Sequence, residues 1–203
     1  MAADASSNIG WGVVAGPWIF HGTWSKGTLE ACEAIRQRDQ EWARTKEGGA
    51  AGDQAEEQVS ISPLELLVKA FVVRAVRERL PTEVPNGNFY SRCDNDSAVQ
   101  VVAAGRAKSP AMTKALRIVK EEEKGEKGQR SYRLRLEHIS TLDNKVADLL
   151  SRGALEEAPE LVQDRWGICL EGQLDEKFVA QAEERVRTAS LRDVAFVSEA
   201  EAA

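Results

Sequence analysis

Four acidic side chains occupy positions at which carboxylates could do chemistry. Glu65 interrupts the apolar run PLELLV, and Asp148 is flanked by apolar positions of a predicted helix. Asp94 ends a predicted strand, and Asp4 leads into the first predicted hairpin. A carboxylate among core residues must be paired, protonated or bound to a cation, since an isolated buried charge is too costly. Each residue alone is most simply a helix cap or a rim charge, and cation binding is the chemistry that the four could perform together.

The elements that must position these carboxylates follow from hydrophobic periodicity and turn signals. Segments 9–16 and 18–24 are short, rich in aromatic and β-branched residues, and predict an antiparallel hairpin. Segments 88–94 and 131–139 are typical of strands, the latter by strict alternation. Helices are predicted over 61–80, 97–104, 111–124, 143–152 and 174–189. Antiparallel strands followed by strand–helix alternation predict an α/β fold, a mixed sheet with the hairpin first, then parallel strands, and helices on both faces.

Three helix starts carry capping signals. Ser62 before Pro63 predicts the start of the long helix, and Ser109 before Pro110 predicts another. Asp96 is the predicted cap of the short helix that follows the strand 88–94.

Charge and composition divide the chain, which has 203 residues and a formal charge of −6. Segment 156–203 contains 12 Asp/Glu and five Lys/Arg, whereas 106–152 contains 12 Lys/Arg and seven Asp/Glu. Local positive charge allows nucleic-acid binding, but a solvated helix face explains it as well. The composition predicts a principal domain over 1–155, with a polar insertion at 36–59, and an acidic, partly helical tail over 156–203.

The cysteines and the apolar runs restrict the compartment. Cys32, Cys93 and Cys169 are odd in number and far apart, which argues against a disulfide framework or a zinc knuckle. The N-terminus lacks the pattern of a signal peptide, and charges interrupt the longest apolar stretch, 64–76, so it is not a membrane span. We expect an intracellular protein, in the cytoplasm or nucleus, that is not secreted and has no membrane partner.

Four segments together resemble the ribonuclease H domain of reverse-transcribing retroelements, and most closely that of the DIRS/Ngaro group. DASSNIGWGVV (4–14) is similar to the opening strand of that family, and ISPLELL (61–67) to its first helix. CDNDSAVQVVAAGRAKSPAM (93–112) is similar to its central strand end and the two helix starts after it. HISTLDNKVADLLSRG (138–153) resembles the closing motif, which is the most specific part. The resemblance covers residues 4–153.

The resemblance implies an endoribonuclease that hydrolyses the RNA strand of an RNA–DNA hybrid with two Mg²⁺ ions, Mn²⁺ being a possible substitute. It implies Asp4, Glu65, Asp94 and Asp148 as metal ligands, and His138 as an aid to proton transfer or product release. Carboxylate oxygens are the ligands that Mg²⁺ prefers, and two ions can assist both attack and departure of the leaving group. The residues that we expect to contact the hybrid are Asn95, Arg106, Lys108, Asn144 and Arg152. A reverse transcriptase domain upstream is a further expected partner.

Three other functions remain open on the sequence. The first is a catalytically impaired retroelement remnant that binds nucleic acid or a protein partner without cleavage. The second is a nuclease of the same fold class that cuts DNA, such as a transposase or integrase core, which usually needs three acidic residues rather than four. The third is a helical interaction protein, which the alternating strand 131–139 disfavours.

Overall fold

The computed structural model describes residues 1–45, 56–85, 87–107 and 109–201. These residues form six strands, which are β1 (Ala2–Ala5), β2 (Gly10–Ala15), β3 (Trp18–Thr23), β4 (Asn88–Cys93), β5 (Arg133–His138) and β6 (Leu170–Glu171). The helices are α1 (Lys26–Thr45), α2 (Glu56–Arg79), α3 (Asp96–Ala104), α4 (Pro110–Lys124), α5 (Lys145–Ser151), α6 (Glu157–Trp166) and α7 (Glu176–Glu201). A 3₁₀ turn, Thr141–Asn144, leads into α5.

The strands form one mixed sheet in the order β5-β4-β1-β2-β3-β6. Neighbours among β1, β2 and β3 are antiparallel, whereas β4 pairs in parallel with both β1 and β5. The short β6, which the sequence did not predict, extends the sheet in parallel with β3. The structure therefore confirms the predicted α/β fold, and the order of the first five strands is the ribonuclease H-like topology.

Helices cover both faces of this sheet because its strand residues alternate in direction. Val13 and Phe20 lie in the larger core with α2, whose residues from Leu64 to Val76 are mostly buried. Ile19 lies in a smaller core on the opposite face, with α5 and α6. The helices α4 and α7 pack over α2. None of the described helices combines the length and apolar character that crossing a bilayer demands.

Two of the three predicted caps are wrong. The helix α2 begins at Glu56, so that Ser62 and Pro63 lie inside it. Proline within a helix removes one backbone hydrogen bond, and the large apolar surface that α2 buries offsets this loss. The cap of α3 is Asn95 rather than Asp96, because the Asn95 side chain accepts a hydrogen bond from the Ala98 amide.

The remaining capping signal is confirmed. The Ser109 side chain accepts a hydrogen bond from the Met112 amide at the start of α4. Of the predicted insertion, 36–45 belongs to α1 and 56–59 to α2, while 46–55 lies outside the described residues.

Gly12 allows α5 to approach β2 closely. A Cβ atom at this position would lie 2.4 Å from the Leu150 Cβ and 2.6 Å from the Ala147 carbonyl oxygen. We expect Gly12→Ala to lower the free energy of unfolding by about 2 kcal/mol, because the added methyl group overpacks the contact. Urea denaturation measures this change. The control is Gly27→Ala, where the nearest atom is the flexible Arg187 Cδ at 3.4 Å. An equal loss in both variants would contradict the close approach.

Candidate metal centre

Three of the predicted carboxylates meet at the edge of the sheet that is formed by the carboxyl ends of the inner strands β1 and β4. Asp4 lies near the end of β1, and Asp94 directly follows β4. Because β1 and β4 are parallel neighbours, their carboxyl ends lie at the same edge. Glu65, from α2, reaches this edge from the larger core. One carboxylate oxygen from each of the three residues lies within 4.8 Å of the other two, so we call Asp4, Glu65 and Asp94 the acidic triad.

Each carboxylate of the acidic triad is oriented by a hydrogen bond from a different part of the chain. The Ser151 hydroxyl donates to Asp4 Oδ2 at 2.5 Å, and the Ala5 amide donates to Glu65 Oε1 at 3.0 Å. The Asn144 Nδ2 donates to Asp94 Oδ1 at 3.3 Å. The sequence analysis identified neither Ser151 nor Ala5 as a site residue. The one sequence feature that pointed to Ser151 was its position three residues after Asp148.

A fully buried lysine lies beside the acidic triad. Lys69 Nζ donates to the Ala3 carbonyl oxygen at 2.6 Å and lies 3.8 Å from Glu65 Oε2. Its side chain is 0% exposed. The only sequence signal was its position four residues after Glu65 within an apolar run, which places both on one face of a helix. Lys69 offsets one of the three negative charges, and when all four groups are ionised two negative charges remain uncompensated.

Burial and mutual repulsion shift the pKa values of the acidic triad. Burial and the nearby Asp94 raise the pKa of Asp4 to about 6, although the Ser151 hydrogen bond acts to lower it. Burial and the neighbouring Asp4 raise the pKa of Glu65 well above its usual range. The charged forms are therefore disfavoured until a cation neutralises them.

Lys69 keeps its charge despite its burial. Burial alone lowers the pKa of its ammonium group, but Cys93, Glu65 and Asp4 together outweigh that effect, so the pKa lies above its usual value. Lys69 therefore acts as an internal counter-ion for the acidic triad.

The donor set of the acidic triad suits a hard divalent cation. All of its donors are carboxylate oxygens, the ligand type that Mg²⁺ and Mn²⁺ take in proteins. Among the described residues, no hydrogen-bond donor reaches the buried Glu65 Oε2. A buried carboxylate oxygen without a donor is costly unless it binds a cation. The residues present therefore fit a divalent metal ion.

Asp148 lines the same cleft as the acidic triad but is held apart from it. The cleft has a volume of about 300 Å³ and opens to solvent, and Thr141 and Arg152 also line it. Asp148 Oδ1 pairs with Arg152 Nε at 2.6 Å. Within the described part of the chain, the group of carboxylate oxygens within 4.8 Å of one another does not include Asp148.

Of the other predicted site residues that the structure describes, Asn95 lines the cleft, whereas His138 and Arg106 do not. Asn95 lines the cleft, while its Nδ2 donates to the Ser62 hydroxyl at 3.3 Å. His138 ends β5, with its Nε2 3.4 Å from Asp96 Oδ1, and does not line the cleft. Arg106 is exposed in the connection between α3 and α4. Lys108 lies outside the described residues.

The raised pKa of Asp4 predicts a pH dependence of the metal-free protein. The folded state favours protonated Asp4, so the stability from this group is complete below the unfolded pKa and is lost as pH rises through the folded value of about 6. A shift from 3.8 to about 6 corresponds to a loss of about 3 kcal/mol at pH 7. Urea denaturation in EDTA between pH 4 and pH 7 measures it. Asp4→Asn should remove this part of the slope, and an unchanged slope would contradict the assignment.

Comparisons of the chain with protein-family models, with curated proteins and with solved structures find no match. The structure itself establishes a ribonuclease H-like fold with a buried acidic cluster that can hold a metal ion.

Proposed function

We propose that the protein is a metal-dependent endonuclease of the ribonuclease H type, which hydrolyses the RNA strand of RNA–DNA hybrids as a module derived from a retroelement. The observation that carries the proposal is the convergence of Asp4, Glu65 and Asp94 at the edge of a ribonuclease H-like sheet. These carboxylates lie 61 and 29 positions apart along the chain, and each is fixed by its own hydrogen bond.

The acidic triad would hold divalent ions, Mg²⁺ or Mn²⁺, and Asp148 would supply a fourth carboxylate from across the cleft. Ions held there would supply activation of the attacking water and stabilisation of the leaving 3′ oxygen. The chain itself contributes orientation. Ser151 and Asn144 fix the carboxylates of Asp4 and Asp94 before any ion binds, which reduces the ordering cost of binding.

In this proposal, Asp148 must release Arg152 before its carboxylate can bind a metal ion. Asp148 is paired with Arg152, and both line the cleft. A phosphate of the substrate would compete for the guanidinium group, since arginine binds phosphate and carboxylate oxygens in the same way. Arg152 would then contact the hybrid while Asp148 turns to the metal. His138, on the strand next to Asp94, would assist proton transfer or product release.

The positive charge of segment 106–152, which contributes Arg152 to the cleft, supports a polyanionic substrate. Segment 106–152 carries 12 Lys/Arg against seven Asp/Glu. Several of these acidic residues already have cationic partners, among them Glu122 with Arg74 and Arg77. Positive charge therefore remains for phosphates. Asn95, Arg106, Lys108 and Asn144 are proposed contacts of the hybrid, and a reverse transcriptase domain is a proposed partner.

The test of this function is cleavage of a hybrid labelled on its RNA strand, with Mg²⁺ or Mn²⁺. We expect cleaved RNA that carries 3′-hydroxyl and 5′-phosphate ends, because the 3′ oxygen is the leaving group. The DNA strand, single-stranded RNA and a DNA duplex should stay intact, and EDTA should stop the reaction. Cleavage of the DNA duplex would favour a transposase-like or integrase-like nuclease instead.

A second candidate function is binding of the hybrid without cleavage, as in a catalytically impaired retroelement remnant. The observation that favours it is the 2.6 Å ion pair between Asp148 and Arg152, which keeps the fourth carboxylate from the acidic triad. Tight binding of the hybrid in Mg²⁺ with no cleaved RNA would decide for this candidate.

A further inference from the structure

The sheet has an exposed face that no described helix covers. Its residues alternate with the buried Phe89, Ser91 and Leu134, so they point away from the larger core. We call this surface the β4–β5 outer face, and its residues are Asn88, Tyr90 and Arg92 on β4, paired with Arg133, Arg135 and Glu137 on β5. Arg92 is half-buried, and the other five residues are exposed.

The β4–β5 outer face is cationic. It carries the three arginines Arg92, Arg133 and Arg135 and the single acidic residue Glu137. Charged residues on an edge strand such as β5 also protect a sheet from pairing with another chain. That role requires charge, but it does not require an exposed aromatic side chain on the neighbouring strand.

An exposed aromatic ring lies among these arginines. Tyr90 is 59% exposed, and Arg135 lies beside it, with Nη1 3.5 Å from the Tyr90 hydroxyl and its guanidinium carbon 6.0 Å from the ring centroid. A groove of about 180 Å³ continues the surface from Arg92 to α6, where Arg165 and Trp166 line it. Trp166 is 52% exposed. The surface therefore combines several arginines with two accessible aromatic rings.

We propose that the β4–β5 outer face, with the adjoining groove, binds a single-stranded polynucleotide. Phosphates would contact the arginines, and bases would stack on Tyr90 and Trp166, which is the combination that sequence-tolerant single-strand binding requires. A duplex would not offer its base faces to these rings.

The position of this surface relates it to the acidic triad. Tyr90 precedes Asp94 by four residues, which corresponds to about 13 Å along a strand. Asn144 lines the groove and also donates its hydrogen bond to Asp94. A nucleic-acid strand bound on the β4–β5 outer face would run toward the acidic triad. The single-stranded end of a hybrid that is bound at the acidic triad would therefore reach this face. Binding itself needs no metal, so it goes beyond the proposed cleavage and can be tested separately.

The test is the fluorescence anisotropy of labelled U12 RNA and T12 DNA with the full chain in EDTA. We expect Arg133→Glu with Arg135→Glu to weaken binding more than tenfold. The matched control reverses two exposed cations of α4, with Arg117→Glu and Lys124→Glu, and should weaken binding less than threefold. The logarithm of the association constant should fall with the logarithm of salt concentration with a slope of about −2, for three phosphate contacts. The RNA and DNA arms show which strand is preferred.

The aromatic contribution is tested separately. Tyr90→Leu should weaken binding by about tenfold, and Tyr90→Phe should retain it, because stacking needs the ring and not the hydroxyl. Circular dichroism and size-exclusion chromatography with light scattering confirm the fold and the oligomeric state. Equal losses in the two charge-reversed variants, or no loss in Tyr90→Leu, would overturn the proposal. A change of oligomeric state in Arg133→Glu with Arg135→Glu, without a change in oligonucleotide binding, would instead make this face a protein interface. Absence of hybrid cleavage by the parent chain would overturn the proposed function but not this inference.

Discussion

Asp94→Asn is expected to lower the rate of hybrid cleavage by about 10³-fold, which corresponds to about 4 kcal/mol of lost transition-state stabilisation. The substitution keeps the shape of the side chain and an oxygen that can accept the hydrogen bond from Asn144. It removes one of the three negative charges of the acidic triad. The measurement is single-turnover cleavage of the labelled hybrid in saturating Mg²⁺.

The stability of the same variant separates a metal-binding role from a structural one. The charge of Asp94 raises the pKa values of Asp4 and Glu65, so its removal relieves repulsion in the metal-free protein. We expect the melting temperature in EDTA at pH 7 to rise, and the stabilisation by Mg²⁺ to be lost. The matched control is Asp164→Asn, the same change of charge at an exposed residue of α6. A lower melting temperature in EDTA, with stabilisation by Mg²⁺ intact, would contradict the assignment of Asp94 as a metal ligand.

Lys69→Met is expected to lower the free energy of unfolding by about 4 kcal/mol at pH 7 in EDTA. Methionine retains most of the buried volume, so the loss reports the charge and its hydrogen bond. Without the ammonium group, the Ala3 carbonyl oxygen loses its donor and the charge of Glu65 loses its nearby counter-ion. Urea denaturation at pH 7 and pH 5 measures the effect.

The two pH values and a double variant distinguish the counter-ion role from packing. The pKa of Glu65 is already raised, and removal of Lys69 raises it further, so protonation at pH 5 should relieve part of the cost. Lys69→Met with Glu65→Gln should recover about 2 kcal/mol relative to the single variant, because the charge of Glu65 is removed together with its counter-ion. The same loss at both pH values, with no recovery in the double variant, would show that Lys69 acts through packing alone.

Periodicity made the elements that position the site predictable. The alternation of 131–139 corresponds to β5, and the aromatic segments around Gly16 correspond to the hairpin of β2 and β3. The apolar positions after residue 61 correspond to the buried length of α2. These patterns are local consequences of burying one face of a strand or a helix, so they are visible without tertiary contacts.

Helix boundaries were less predictable, because a capping signal acts only where the backbone ends its helical path. Ser62 before Pro63 has the composition of a helix start, yet α2 begins at Glu56 and the Ser62 hydroxyl instead accepts from Asn95. Asn95 and Asp96 are both good caps by type. The pairing of β4 with β5 continues to the end of β4, which places Asn95 in the turn before α3. Asn95 rather than Asp96 therefore caps α3.

The sequence by itself determined the α/β class and the four carboxylates that merited attention, because both depend on residue type and short-range spacing. Only the tertiary structure decided which carboxylates converge and what holds them. Ser151 reaches Asp4 across 147 positions, and Lys69 lies against the carbonyl oxygen of Ala3 across 66. The tertiary structure also showed that Asp148 is paired with Arg152 and is separate from the acidic triad. Contacts of this kind depend on how distant elements pack, and no local pattern encodes that packing.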